Sequence, residues 1–295
     1  MPHRSLRCGR VDVVTVGPVP TAATDAWIEN TAERSSAFHP LRTLWTSREL
    51  IGFFALRDLR VRYKQAVLGL LWALAQPVAT VLVFTLVFQR LAQTDTGTVP
   101  YPLFALAGLA SWTYFAAVVG QGSLVLVDNA SLITKVHFPR LAAPASALLP
   151  PLVDLAVALA LLLVVGIAYG ADPTWHLLLA PFWVLLLMLT ALGPCLWLSA
   201  LAVRFRDVKH ALTPVLQLLL FASPVAYSAQ AMDEPARLLY ALNPVSGVVD
   251  VGRFVLIGAD WPGITMAVSV VVAIVVFVSG SWYFQHAERD FADVV

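Results

Sequence analysis

Four stretches of this chain contain no Asp, Glu, Lys or Arg: residues 96–127, 173–203, 210–232 and 261–287. A helix crossing ~30 Å of hydrocarbon needs about 20 apolar residues, so each stretch has room for one. Two further runs reach the same length: 67–88, bounded by Lys64 and Arg90, and 141–171, interrupted only by Asp154. Charged residues make up 13% of the chain, about half the share expected of a soluble domain. These runs predict an all-α integral membrane protein with six transmembrane helices across 67–285. A net charge of +1 carries no signal for nucleic acid.

Barrel strands are excluded by the pattern. They alternate polar and apolar residues over about ten positions, whereas these runs are continuously apolar. Helices satisfy their own backbone groups in hydrocarbon, and prolines such as Pro77, Pro144, Pro150, Pro151, Pro194 and Pro214 predict kinks rather than breaks. With both termini inside, sixteen Lys and Arg fall on the cytoplasmic side and three (Arg90, Arg237 and Arg253) outside. That positive-inside bias sets the expected topology: multi-pass, both termini cytoplasmic.

Residues 1–39 read as a disordered cytoplasmic tail without a secretory apolar core, and 286–295 as a second short tail. Cys8 and Cys195 fall in different compartments of this topology and offer no disulfide framework. None of the three lysines, Lys64, Lys135 and Lys209, follows a glycine, so a phosphate-cradling G-x-x-x-x-G-K-[ST] loop is excluded. No H-E-x-x-H, C-x-x-C or G-x-S-x-G is present either. The expectation is a transport subunit rather than an enzyme, with no catalytic residue, no metal site and no cofactor of its own.

Asp154 is the one acid inside a predicted span. At the bilayer centre it would cost about 2.5–3.5 kcal/mol, so it must face protein or water. It reads either as a helix-contact acid, bonded to hydroxyls or to carbonyls freed near Pro150 and Pro151, or as a proton or cation site, as in a secondary transporter. Gly166 and Gly170 form a GxxxG that would permit close helix approach.

Residues 40–66 read as an amphipathic interface helix. At 100° per residue Arg57, Arg60 and Lys64 share a stripe about 60° wide, with Leu56, Leu59 and Tyr63 opposite. Asp58 and Arg62, four apart with the acid first, support the helix. Such a helix lies in the membrane interface, and the pattern alone also fits a plain lipid anchor.

The stretch LRDLRVRYKQAVLGLLWALAQPV (56–78) resembles the N-terminal segment of permease subunits of type-2 ABC exporters for polysaccharides, the systems that move O-antigen, capsule, teichoic acid or galactan. NASLITKVHFPRLAAP (129–144) resembles the cytoplasmic segment between the second and third spans of that family, with His137 at its aromatic position. LSALAVRFRDVKHALTPVLQLLLFASPVAYS (198–228) and NPVSGVVDVGRFVLIG (243–258) resemble two further segments, in the same order.

The resemblance implies a type-2 ABC exporter permease fold, a homodimer in the bacterial inner membrane, and a separate nucleotide-binding ATPase subunit that binds ATP and Mg. It implies ATPase coupling through the loop 129–141, by Lys135, His137, Phe138, Pro139 and Arg140; Leu132, Ile133 and Phe138 offer an apolar knob there, with Lys135 and Arg140 as a charged rim. Arg57, Asp58, Arg60, Arg62, Tyr63 and Lys64 of the interface helix join that role. Its substrate would be a lipid-linked glycan; the alternative is a small amphiphile or drug. Sugars stack on rings, which makes Trp72, Phe84, Phe88, Trp112, Tyr114 and Phe115 candidates for a path, although such residues also populate lipid belts.

The 34-residue outer connection 229–262 is too apolar for a free loop and its runs are too short to span. It reads as a re-entrant segment broken at Asn243-Pro244, with Asn243, Pro244 and Arg253 as gate candidates. Cysteines placed at Val245 to Val249 are expected to react with thiol reagents from outside.

Overall fold

The computed structural model describes residues 44–64, 69–91, 99–129, 139–171, 174–228 and 234–294. All regular structure among them is helical, and the order follows the apolar runs. Helix α1 spans Arg48–Lys64, and α2 (Gly69–Phe84) runs into a π-helical segment, Thr85–Leu91. Then come α3 (Tyr101–Gly122), the short α4 (Val125–Asp128) and α5 (Ala142–Ser146), and α6 (Pro150–Ala168). A 3-10 turn (Trp175–Leu179) leads into α7 (Ala180–Arg204), followed by α8 (Asp207–Ala222), α9 (Glu234–Ala241), α10 (Pro244–Ile257) and α11 (Ile264–Val294).

Prolines open α3, α6, α7 and α10 at their first or second position, where no backbone donor is lost. Among the described residues, four helical stretches are long and apolar enough to cross a membrane: Tyr101–Gly122, Ala142–Ala168, Trp175–Arg204 and Ile264–Glu288. The remaining two predicted runs contain shorter helices. One is the apolar stretch Leu74–Arg90. The other is α8, whose 16 residues rise about 24 Å before Ser223 turns extended and Pro224 removes a helix donor.

Helix α3 is the axis of the molecule, buried along most of its length and packed against α6, α7 and α10. Tyr114, Phe115 and Val118 of α3 meet Trp183, Leu187 and Leu196 of α7 in the core. The most extensive helix contact among the described residues joins α7 to α11. A β-carbon at Gly193 would lie 2.9 Å from the Phe277 backbone nitrogen, and one at Gly280 would lie 2.6 Å from the Gly193 carbonyl oxygen. Beside this crossing Trp197 stacks on Tyr283 at 4.4 Å and donates from its Nε1 to Ser279 Oγ at 3.1 Å. The GxxxG at Gly166 and Gly170 does not make the close approach. Gly166 meets Leu103 at an ordinary 4.0 Å, and Gly170 ends α6 at φ 70°.

Helix α10 enters the core instead of lying on the surface. Val245, Ser246, Val248 and Val249 are buried, and Gly247 sits directly against Ser269 of α11. Trp183 donates from its Nε1 to the Val248 carbonyl at 3.1 Å. The expectation of thiol access at Val245 to Val249 therefore does not hold in this conformation. The apolar residues there face α3, α7 and α11, and the exposed large apolar positions among the described residues of the connection are Leu238, Leu239, Leu242 and Trp261.

Candidate functional site

The candidate residues gather at two ends of the helical bundle. Arg253 organises one. The residue is 2% exposed, and its guanidinium sits 3.6 Å from the centre of the Phe104 ring and donates from Nη2 to the Val225 carbonyl at 2.7 Å. Nη1 pairs with Asp250 one turn back on α10, at 3.1 Å. Burial lowers the guanidinium pKa to about 10 while the Asp250 carboxylate pulls it upward, so Arg253 stays charged at neutral pH. Its Nε meets no acceptor among the described residues.

Two more side chains converge on the turn that Arg253 holds. Tyr101 donates its hydroxyl to the Ala226 carbonyl at 2.9 Å, and Asn243 donates from Nδ2 to Ser223 Oγ at 2.8 Å. Asn243 also caps α10, its Oδ1 accepting from the Val245 amide at 3.1 Å, with Pro244 at the first helical position. Gly108 leaves room for the arrangement. A β-carbon there would lie 2.7 Å from the Val225 carbonyl oxygen and 2.8 Å from Arg253 Nη2. The turn Ser223–Ala226 is thus fastened to α3 and to α10 by three side chains. Sequence reasoning singled out Asn243, Pro244 and Arg253 but missed Tyr101, Phe104, Gly108 and Asp250. Among these only Asp250, three residues before Arg253, left a signal.

The opposite end is basic and its ties are looser. Arg62 of α1 pairs with Asp154 of α6 at 2.8 Å, and both side chains are partly exposed. That arginine is a partner from another helix that the sequence reading of Asp154 did not name. Arg57 pairs with Asp58 at 2.8 Å on the same helix and lies over Phe54; Arg60 is exposed. Arg140 donates from its backbone to Glu288 Oε1 at 3.3 Å and from Nη1 to the Glu288 carbonyl at 2.9 Å, joining Pro139-Arg140 to α11. Lys209 at the start of α8 pairs with Asp128 at the end of α4, at 3.0 Å. Lys135, His137 and Phe138 lie outside the described residues, as do the side chains of Tyr63, Lys64 and Trp72.

The structure separates the aromatic candidates. Phe84 and Phe88 meet edge to face at 5.4 Å near the end of the α2 run, half-buried. Trp112 and Tyr114 are buried in the protomer, Tyr114 donating its hydroxyl to the Leu148 carbonyl at 2.9 Å. Phe115 lines an apolar cavity of about 650 Å³ beside α8, which extends from Leu212 to Asn243 and Pro244. Among the described residues no group of three His, Cys, Asp or Glu side chains is placed to hold a metal.

The ABC-2 type transporter family matches residues 49–257, a stretch running from α1 to the last residue of α10. The chain is 32% identical over 258 residues to the O-antigen export system permease protein RfbA of Myxococcus xanthus, covering 86% of this chain and 98% of that protein. It is 23% identical over 246 residues to the permease of the same name from Klebsiella pneumoniae, covering 81% and 92%. It is 26% identical over 200 residues to the polysialic acid transport protein KpsM of Escherichia coli, covering 67% and 77%. A bundle of apolar helices that aligns with such permeases from its first described helix to its buried α10 belongs to the ABC-2 type transporter family of membrane proteins.

Proposed function

We propose that this protein is the membrane-spanning permease of an ATP-driven exporter that moves a lipid-linked polysaccharide across the bacterial inner membrane. The observation that carries the reading is the alignment along 98% of an O-antigen export permease. The chain has no phosphate-binding loop, so ATP and Mg belong to a separate nucleotide-binding subunit. In this reading α2 with its π-helical extension, and α8, are the first and fifth of six spans. Both termini and the basic end face the cytoplasm, which the distribution of Lys and Arg supports. A homodimer encloses the path. Helix α1, as an interface helix, and the 129–141 connection receive the ATPase, while α9 and α10 stand at the exit.

The test is reconstitution. Proteoliposomes carrying the permease and its nucleotide-binding subunit should translocate a radiolabelled lipid-linked polysaccharide on addition of ATP, and vesicles with either subunit alone should not. ATP hydrolysis by the isolated permease would overturn the assignment. Transport of small amphiphiles without any movement of glycan would replace the substrate class.

A further inference from the structure

The apolar run 141–171 carries one charge, Asp154, and the fold spends it on α1. Helix α1 lies against α5 and α6, burying Phe54 and Ala55, while Phe53, Leu56 and Val61 remain exposed. Those exposed side chains are as apolar as the buried ones, so hydrophobic burial alone does not choose which side of α1 faces the bundle. The ion pair does choose. Arg62 projects from the same side as Phe54 and Ala55, and its Nη1 meets Asp154 Oδ2 at 2.8 Å. The pair joins two elements 92 positions apart in sequence, and its acid sits in the second turn of a helix otherwise free of charge.

We propose that Asp154 is a positioning residue. Through Arg62 it fixes the rotation and depth of α1 against α6, so that a displacement of α1 is passed to the third predicted span as well as to α2, which follows it in the chain. The proposal rests on the exporter reading for its consequence in transport, but the placement of α1 is a separate, structural claim. It assigns Asp154 no proton and no cation to carry.

The experiment uses the full permease assembled with its nucleotide-binding subunit in proteoliposomes, with Cys8 and Cys195 replaced and spin labels at Val61→Cys and Leu163→Cys, both exposed positions. With labelled protomers diluted into unlabelled ones, the unaltered pair should give one narrow distance between the labels. Asp154→Asn should broaden it and lower the polysaccharide moved per ATP hydrolysed by about fivefold, the upper range for a partly exposed ion pair. Asp154→Glu should retain both, and the exchange of Arg62→Asp with Asp154→Arg should restore both. An unchanged distance in Asp154→Asn would overturn the proposal. So would an exchange variant that assembles with the ATPase yet stays as impaired as the single variant, because Asp154 would then act independently of Arg62. If the unaltered protein moves no polysaccharide, the exporter reading fails while the label distances still decide the placement of α1.

Discussion

Two arginines, each paired with an aspartate, divide the molecule into a hard end and a soft one. Arg253 is 2% exposed and meets Asp250, the Val225 carbonyl and the Phe104 ring, all on protein. Arg62 is partly exposed and reaches across to Asp154. Removing one partner of a buried pair strands a charge without solvent, whereas a partly exposed pair exchanges its partner for water at small cost. The turn Ser223–Ala226, α3 and α10 are therefore locked as one body. The basic end is held by ties that yield to a modest force.

The comparison is broken most directly at Arg253. Arg253→Met keeps much of the side-chain volume but leaves Asp250 without its counter-ion, and should destabilise the fold by about 3–5 kcal/mol, read as a fall in thermal unfolding temperature in detergent. A loss below about 1 kcal/mol would mean that Arg253 is not what holds this end.

Gly108→Ala sharpens the same point without touching a charge. The added methyl meets the Val225 carbonyl and Arg253 Nη2 below contact distance, for an expected loss of about 1–3 kcal/mol. Alanine at Gly120, whose β-carbon would sit 3.7 Å from Leu216, serves as the control and should be close to neutral.

Lys209→Ala lies at the small end of the scale. Its pair with Asp128 is more than half exposed, so the change should cost no more than about 0.5 kcal/mol and vanish in high salt. A loss as large as that of Gly108→Ala would erase the distinction between the two ends.

Much of this was legible in the sequence because hydrocarbon punishes charge, and charge-free runs mark helices without any knowledge of partners. The all-helical class and the permease resemblance rested on local segments and carried through. Where each helix stops was less legible. The gap 210–232 continues past the end of α8, which Ser223-Pro224 sets at Ala222, while the helix begins before the gap, at Asp207. Long-range pairings were not legible at all. Asp154 and Arg62 were both singled out, yet nothing near either names the other. Tyr101 and Phe104 look like ordinary apolar residues opening a span until the turn at Val225 and Ala226 is seen beside them. Val245 to Val249 misled for a related reason. A run too short to span was read as a re-entrant segment open to thiol reagents from outside, while its valines are buried against α3, α7 and α11.

The glycine crossing of α7 and α11 bears on how such a chain is made. Helix α7 ends at Arg204 and α11 begins only at Ile264, so the ribosome delivers α7 to the membrane well before its partner exists. During that interval the bare backbone at Gly193 faces lipid tails, which offer no surface complementary to it. The α7 face stays unfinished until α11 arrives and Gly280 seats against it.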